Sequence, residues 1–263
     1  MISTMDYKTR IKNLILFVAG LLIAALIITI IGIVKDNSII FPSLIDIIVK
    51  FFKLLATAST YKFIGVTLFD FIIVMILSTF IGMLLGTLSG MNDICKGIIR
   101  PFLIIFRSLP MIVLIVIIML TVPNSNYRFV PIIATTFALI PITAEAVSEG
   151  MARVDKTYID VYRMNSNMSP RVVFKVYYPL SAGYIKQAIV NAIGMGIKII
   201  VTTEYIASVR NTLGIAIFNA KAEVEYAEIY AWAIILIIIV LIFEAIPLLV
   251  SYIYQRILFK SKA

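Results

Sequence analysis

Long apolar runs alternate with short segments that collect most of the charge, and this alternation dominates the chain. A membrane-crossing helix needs roughly 20 apolar residues. Six stretches meet or approach that length: 14–34, 64–88, 108–127, 129–144, 188–207 and 229–252. The first is uncharged, and the second carries Asp70 near its outer end. The third is also uncharged and extends backwards through Phe102. The fourth contains Pro131 and Pro141, which predicts an irregular or tilted helix. Lys198 and Glu204 interrupt the fifth, and Glu244 the sixth. The pattern predicts an all-α, polytopic membrane protein of about six transmembrane helices, with a short leading segment (1–12) and one transmembrane domain (13–263).

The charges orient these spans. Lys8, Arg10 and Lys12 precede the first run, and Lys96 and Arg100 lie between the second and third. Arg153, Lys156, Arg163, Arg171, Lys175 and Lys186 fill the connection between the fourth and fifth, and Arg256, Lys260 and Lys262 close the chain. Basic residues favour the cytoplasmic side, so the reading is N-in and C-in, although lysines between 35 and 62 make the bias incomplete.

Composition agrees. Of 263 residues, 62% are hydrophobic and 14% charged, against about 25% charged in soluble domains, and mean hydropathy is +1.06. The net charge of +9 is scattered between apolar runs and not gathered into a nucleic-acid surface. With no histidine and one cysteine, Cys95, an internal disulfide is excluded and no Cys/His metal site is expected. The first run is read as a span, because it is too long for a leader's apolar core and lacks a small-residue cleavage site.

Two patterns predict local packing. After Phe41-Pro42-Ser43, the polar residues Asp46, Lys50, Lys53 and Thr57 fall at offsets 0, 4, 7 and 11, one stripe on a helix. That helix either lies along the outer membrane surface or caps the bundle as a hairpin. In the second run Gly82, Gly86 and Gly90 share one face, the pattern of a close helix–helix seam.

Ionisable residues within spans are costly and are functional candidates. Asn191, Gly194, Lys198 and Thr202 occupy one face of the fifth run at offsets 0, 3, 7 and 11. Lys198 can meet an anionic solute there, pair with an acid such as Glu244, or snorkel. Glu204 lies on a different face and fits an outer-end structural or gating role. Asp70 is either part of the path or an interfacial helix residue. Arg107 suits a bond to backbone or lipid phosphate better than one to substrate.

The connection 145–182 is long for a compact protein, and it is not polar enough to be disordered. Its pattern predicts a short helix near 158–164, a turn at 165–169, a second helix from Pro170 and a bend at Pro179 into the fifth span. Tyr158, Val161 and Tyr162 would then be presented to the cytoplasm, as suits a groove on a partner.

These residues resemble the cytoplasmic loop of binding-protein-dependent ABC importer permeases of type I, written E-A-A, three residues, G, nine residues, I-x-L-P. The register falls on Asp160-Val161-Tyr162, then Ser166, then Val176-Tyr177-Tyr178-Pro179, with spacing kept and Pro179 identical. Gly150, Val154-Asp155, Arg163, Phe41-Pro42-Ser43, Arg107-Ser108-Leu109-Pro110 and Glu204 are similar to segments of the nitrate/sulfonate/taurine branch. Asp70 departs from it, standing where that branch tends to have arginine.

The resemblance implies a permease subunit in the bacterial inner membrane. Its ATPase-coupling residues would be Tyr158, Asp160, Val161, Tyr162, Arg163, Ser166, Val176 and Pro179. It implies two cytoplasmic ATPase subunits that bind ATP and magnesium, a second permease copy forming a homodimer, and an external substrate-binding protein. The path candidates are Asn191, Lys198, Thr202, Glu204 and Asp70. No G-x-x-x-x-G-K-[ST] phosphate loop occurs, so the chain is expected to have neither an ATPase site nor a cofactor of its own. An ion-coupled secondary transporter or channel subunit is the rival reading, but it leaves the spacing of the loop unexplained. The sequence does not choose among sulfonate, nitrate, a thiamine precursor or another small solute.

Overall fold

A computed structural model describes residues 42–165 and 171–260, and every regular element among the described residues is helical. The first apolar run, the segment 1–12, Phe41 and residues 166–170, which hold Ser166 and most of the turn expected at 165–169, lie outside them. The chain divides into two compact units: Met1–Thr57 with Asn219–Ile235, and Ala58–Phe218 with Leu236–Ala263.

In the smaller unit, α1 (Leu44–Leu55) starts where the sequence places it. Ser43 Oγ accepts the Asp46 N–H at 3.2 Å while its hydroxyl donates to Asp46 Oδ2 at 2.6 Å, a reciprocal cap. The polar stripe makes ionic contacts: Lys50 Nζ lies 2.8 Å from Glu225 and 3.5 Å from Glu228. The hydrogen bond to Glu225 raises the Lys50 pKa against the lowering effect of burial. The same bond, with the charge of Lys50, holds the Glu225 carboxyl below the usual range. Trp232 Nε1 donates to Glu228 Oε1 at 3.4 Å. Ile45, Ile48, Val49 and Phe52 remain exposed on α1.

The larger unit is centred on α2 (Ala58–Met91), which packs against α5 (Val130–Ala152), which in turn packs against α7 (Tyr178–Ile206). Apolar residues are plentiful all round α2, so hydrophobicity alone does not mark its inner face. Beyond Phe71, size does: Val74, Ser78, Gly82, Gly86 and Ser89 are buried, while Ile72, Ile76, Phe80, Leu84 and Leu88 form the exposed stripe. Small residues let backbones approach where no water drives association. A Cβ on Gly86 would stand 2.6 Å from the Ala144 carbonyl oxygen, and one on Gly90 would stand 2.8 Å from Met151 Cβ. The glycine stripe is therefore the α2–α5 seam.

The third apolar run departs from expectation. α3 (Asp93–Ser108) and α4 (Met111–Thr121) meet at a 100° bend, and a 3-10 segment, Asn124–Phe129, follows. The residue before proline is driven out of the helical region, and Leu109 is extended at φ −67°, ψ 127° ahead of Pro110. The fourth run is more regular than its prolines suggest. Pro131 sits in the first turn of α5, where no backbone donor is needed, and the helix continues through Pro141.

Beyond α5, α6 (Lys156–Asn165) is the short helix expected near 158–164. The expected bend at Pro179 is absent. The chain is helical without interruption from Arg171 through a π-helical turn, Val173–Tyr177, into α7. Pro179 therefore lies inside a continuous helix just past the π turn, where the backbone hydrogen-bond ladder is already shifted. The chain continues through α8 (Leu213–Ala222) to α9 (Tyr226–Lys260). Four described helices are long and apolar enough to cross a membrane, or five if the bent α3–α4 pair counts as one span.

Candidate functional site

The α6 elbow rests on a firm base. Asp155 Oδ1 accepts the Thr157 N–H at 2.9 Å and its hydroxyl at 2.8 Å, which caps the helix and lowers the Asp155 pKa. Val154, Val172 and Tyr177 are buried with Val147 and Met151 of α5, and Val176 packs against that cluster. Arg153 lies over the Tyr184 ring, 5.4 Å from its centroid, and Nη1 donates to the Tyr184 hydroxyl at 3.2 Å. A side chain on Gly150 would run into Tyr184 at 2.9 Å, so α5 and α7 meet closely here. From this base α6 exposes Tyr158 (58%), Val161 (54%) and Met164 (85%), spaced at three-residue intervals along one side of the helix. Asp160 is exposed beside them, Tyr162 and Arg163 belong to the same helix, and Pro179 is exposed at the start of α7.

The in-span candidates divide between two places. Asn191 and Lys198 line a cavity of ≈ 820 Å³ whose wall includes Arg107, Glu145, Glu149 and Glu244. Lys198 and Glu244 also line a neighbouring cavity of ≈ 600 Å³ together with Thr202. Gly194 gives Glu244 its room, because a Cβ there would collide with the Glu244 carboxylate. Among the described residues Lys198 and Glu244 form no ion pair, and both charges border the two cavities. Arg107 pairs with Glu145 at 2.7 Å, a carboxylate partner where the sequence suggested backbone or lipid.

Asp70 and Glu204 lie in a buried polar cluster. Asp70 is 1% exposed and makes a two-point ion pair with Arg128, one arm at 2.7 Å. That differs from an interfacial position. Glu204 is fully buried: Oε2 accepts from the Thr67 hydroxyl at 3.0 Å and the Gly214 N–H at 3.1 Å. Thr67 Oγ1 also accepts the Leu213 N–H at 2.9 Å, so α2, α7 and the start of α8 are joined through two side chains. Glu204 Oε1 has no hydrogen-bond partner among the described residues. Sequence patterning does not single out Arg128, Glu145 or Glu149. Their available signal is a charge bordering an apolar run and, for the glutamates, the four-residue spacing that puts both on one helix face.

Both cavities are bordered by charged side chains and are large enough to admit a small molecule. Among the described residues no group of three His, Cys, Asp or Glu side chains could hold a metal ion. The family model described as binding-protein-dependent transport system inner membrane component matches residues 78–260. Among curated proteins, none matches the chain at a significant level.

Proposed function

The chain belongs to the binding-protein-dependent transport system inner membrane components, and on that premise we propose that it couples a cytoplasmic ATPase to solute movement through its α6 elbow. It is a multi-pass permease subunit of an ABC importer. The observation that carries the coupling assignment is the exposed Tyr158–Val161–Met164 edge on a short helix whose two flanks are anchored on α5. A partner's groove would take that edge, as apolar anchors on a helix commonly are taken.

In this reading two ATPase subunits bind ATP and magnesium, two copies of the chain form the path, and an external binding protein delivers the solute. The N- and C-termini face the cytoplasm. ATP binding would draw the two elbows together. The force would pass through the π-helical turn into α7, a continuous helix that carries Asn191 about 20 Å and Lys198 about 30 Å further along. The ≈ 820 Å³ cavity would hold a small polar or anionic organic solute on Lys198 and Asn191, of the kind taken by the nitrate/sulfonate/taurine branch.

The test is purification of the tagged chain in mild detergent, with its partners, followed by ATPase assay. A P-loop ATPase should co-purify and be lost from Tyr158→Glu/Met164→Glu, while the permease itself stays folded and monodisperse. In the same preparation Lys198→Met should keep the ATPase but lose solute-dependent stimulation by about tenfold or more, the worth of a charged hydrogen bond. An elbow variant that retains its ATPase would sink the coupling assignment, and an unchanged Lys198→Met would sink the path assignment alone.

A further inference from the structure

Beside the ≈ 820 Å³ cavity, with which it shares Arg107, Glu145 and Glu149, lies a junction of basic and apolar surface between α3 and α5 whose Lys96 and Arg100 the importer reading does not use. Lys96, Arg100 and Arg107 lie at offsets 0, 4 and 11, one face of α3. They line a cavity of ≈ 330 Å³ with Ser89 of α2 and Glu145 and Glu149 of α5. Glu145 is taken by Arg107. Among the described residues Lys96 and Arg100 have no ion-pair partner, so the cavity holds three cations against two carboxylates.

Leu103 forms part of this wall and also part of a second groove, of ≈ 430 Å³ and almost wholly apolar. Leu77, Ile81, Phe102, Ile133 and Phe137 line it, and Phe106 closes one side by stacking on Phe137 at 5.2 Å. The order along the helices is the same on α2 and α5, whereas on α3, which runs beside both, groove (99–106) and basic cavity (96–107) interleave. On α2 the groove takes residues 77–85 and the basic cavity takes 89; on α5 the groove takes 132–140 and the basic cavity 145–152. The basic end therefore sits toward the helix ends, and the apolar groove runs from it toward the middle of the spans. From residue 89 to 77 is about 18 Å of helix, close to half of a ~30 Å hydrocarbon core.

We propose that this composite groove binds an anionic phospholipid, its phosphate on Lys96 and Arg100 and one acyl chain along the α2–α3–α5 groove. Basic pockets between spanning helices suit anionic headgroups. The depth ordering, charge at the interface and carbon below it, matches a lipid. A second copy of this chain would have to bring a carboxylate to the same end.

Delipidated protein in detergent, titrated with dioleoylphosphatidylglycerol or dioleoylphosphatidylcholine, tests this by native mass spectrometry and melting temperature. The two lipids share their chains, so any difference reports the headgroup. Phosphatidylglycerol should be retained preferentially and should raise the melting temperature. Lys96→Gln/Arg100→Gln should abolish that preference, a loss of roughly 30-fold for two interfacial cations. Leu77→Trp, at the end of the groove far from the cations, should weaken both lipids and leave the preference intact. Equal retention of the two lipids, or a preference that survives the double substitution, overturns the proposal. Displacement of the lipid by millimolar inorganic phosphate would mark a free-anion site and overturn it as well. So would a melting temperature set by protein concentration and indifferent to lipid, which would mean that a second copy covers the groove.

Discussion

Asp70 and Arg128 are unequal halves of one ion pair. The carboxylate is 1% exposed, and the guanidinium side chain is 39% exposed. Removing one partner of a buried pair is costly because it strands the other charge, and the cost depends on which charge is stranded. Arg128→Gln leaves a buried carboxylate without a counterion and should cost about 3 kcal/mol. Asp70→Asn leaves a cation that water already reaches and should cost about 1 kcal/mol. Melting of the two variants in one detergent checks the ranking, and the reverse order would mean that solvent reaches Asp70. Nothing in the sequence announces this pair. The partners are 58 positions apart, and Arg128 reads as one more charge at the edge of an apolar run. The same holds for Glu204, whose location in a span is legible but whose hold on Thr67 and Gly214 is not. Those contacts depend on how three helices close, and hydropathy does not encode that.

Among the elements, the glycines separate into two kinds. Gly86 meets Ala144 and Val147 across the α2–α5 seam, whereas Gly97 on α3 has open space around it. Gly86→Ala should destabilise by about 1–3 kcal/mol through overpacking against backbone. Gly97→Ala should be neutral or stabilising by up to about 1 kcal/mol, since alanine is the better helix former. Thermal melts of both variants check the contrast, and equal effects would contradict the seam. The four-residue spacing made this seam legible in advance, as did the loop punctuation that marks α6. The break between α3 and α4 was harder to read, because residues 108–122 carry no charge and hydropathy sees one continuous run. Pro110 was visible, but only the extended conformation forced on Leu109 turns it into a 100° corner. At Pro179 the sequence reading erred in the opposite direction. The helix begins earlier than the apolar run does, and Pro179 follows a π turn in which the regular hydrogen-bond ladder is already shifted.

For the molecule as a whole, the orientation proposed from its cations can be tested without engineering. Cys95 is the sole cysteine and is partly exposed near the start of α3. With the termini inside, a membrane-impermeant maleimide should label inside-out vesicles and leave intact cells unlabelled. Labelling of intact cells would invert the topology, and with it the side on which α6 could meet an ATPase. The orientation also places the basic end of the α3–α5 groove in the cytoplasmic leaflet, where anionic headgroups are attracted most strongly. Composition and run lengths suffice for the class of the molecule. The cavity wall was not legible, because Lys198 and Glu244 belong to different apolar runs and meet only in the fold.

The chain has a single tryptophan, and Trp232 is bonded to Glu228, which also lies beside Lys50. The protein thus contains its own optical gauge of the α1 anchorage. Glu225 titrates below the usual carboxylate range and Lys50 above the usual lysine range. The anchor's contribution is therefore lost only as pH falls through the lowered Glu225 value or rises through the raised Lys50 value. Trp232 emission should stay level through neutrality and shift at the two extremes, and Lys50→Gln should remove the alkaline shift. A step in emission near neutral pH would mean that some other group controls this corner of the protein.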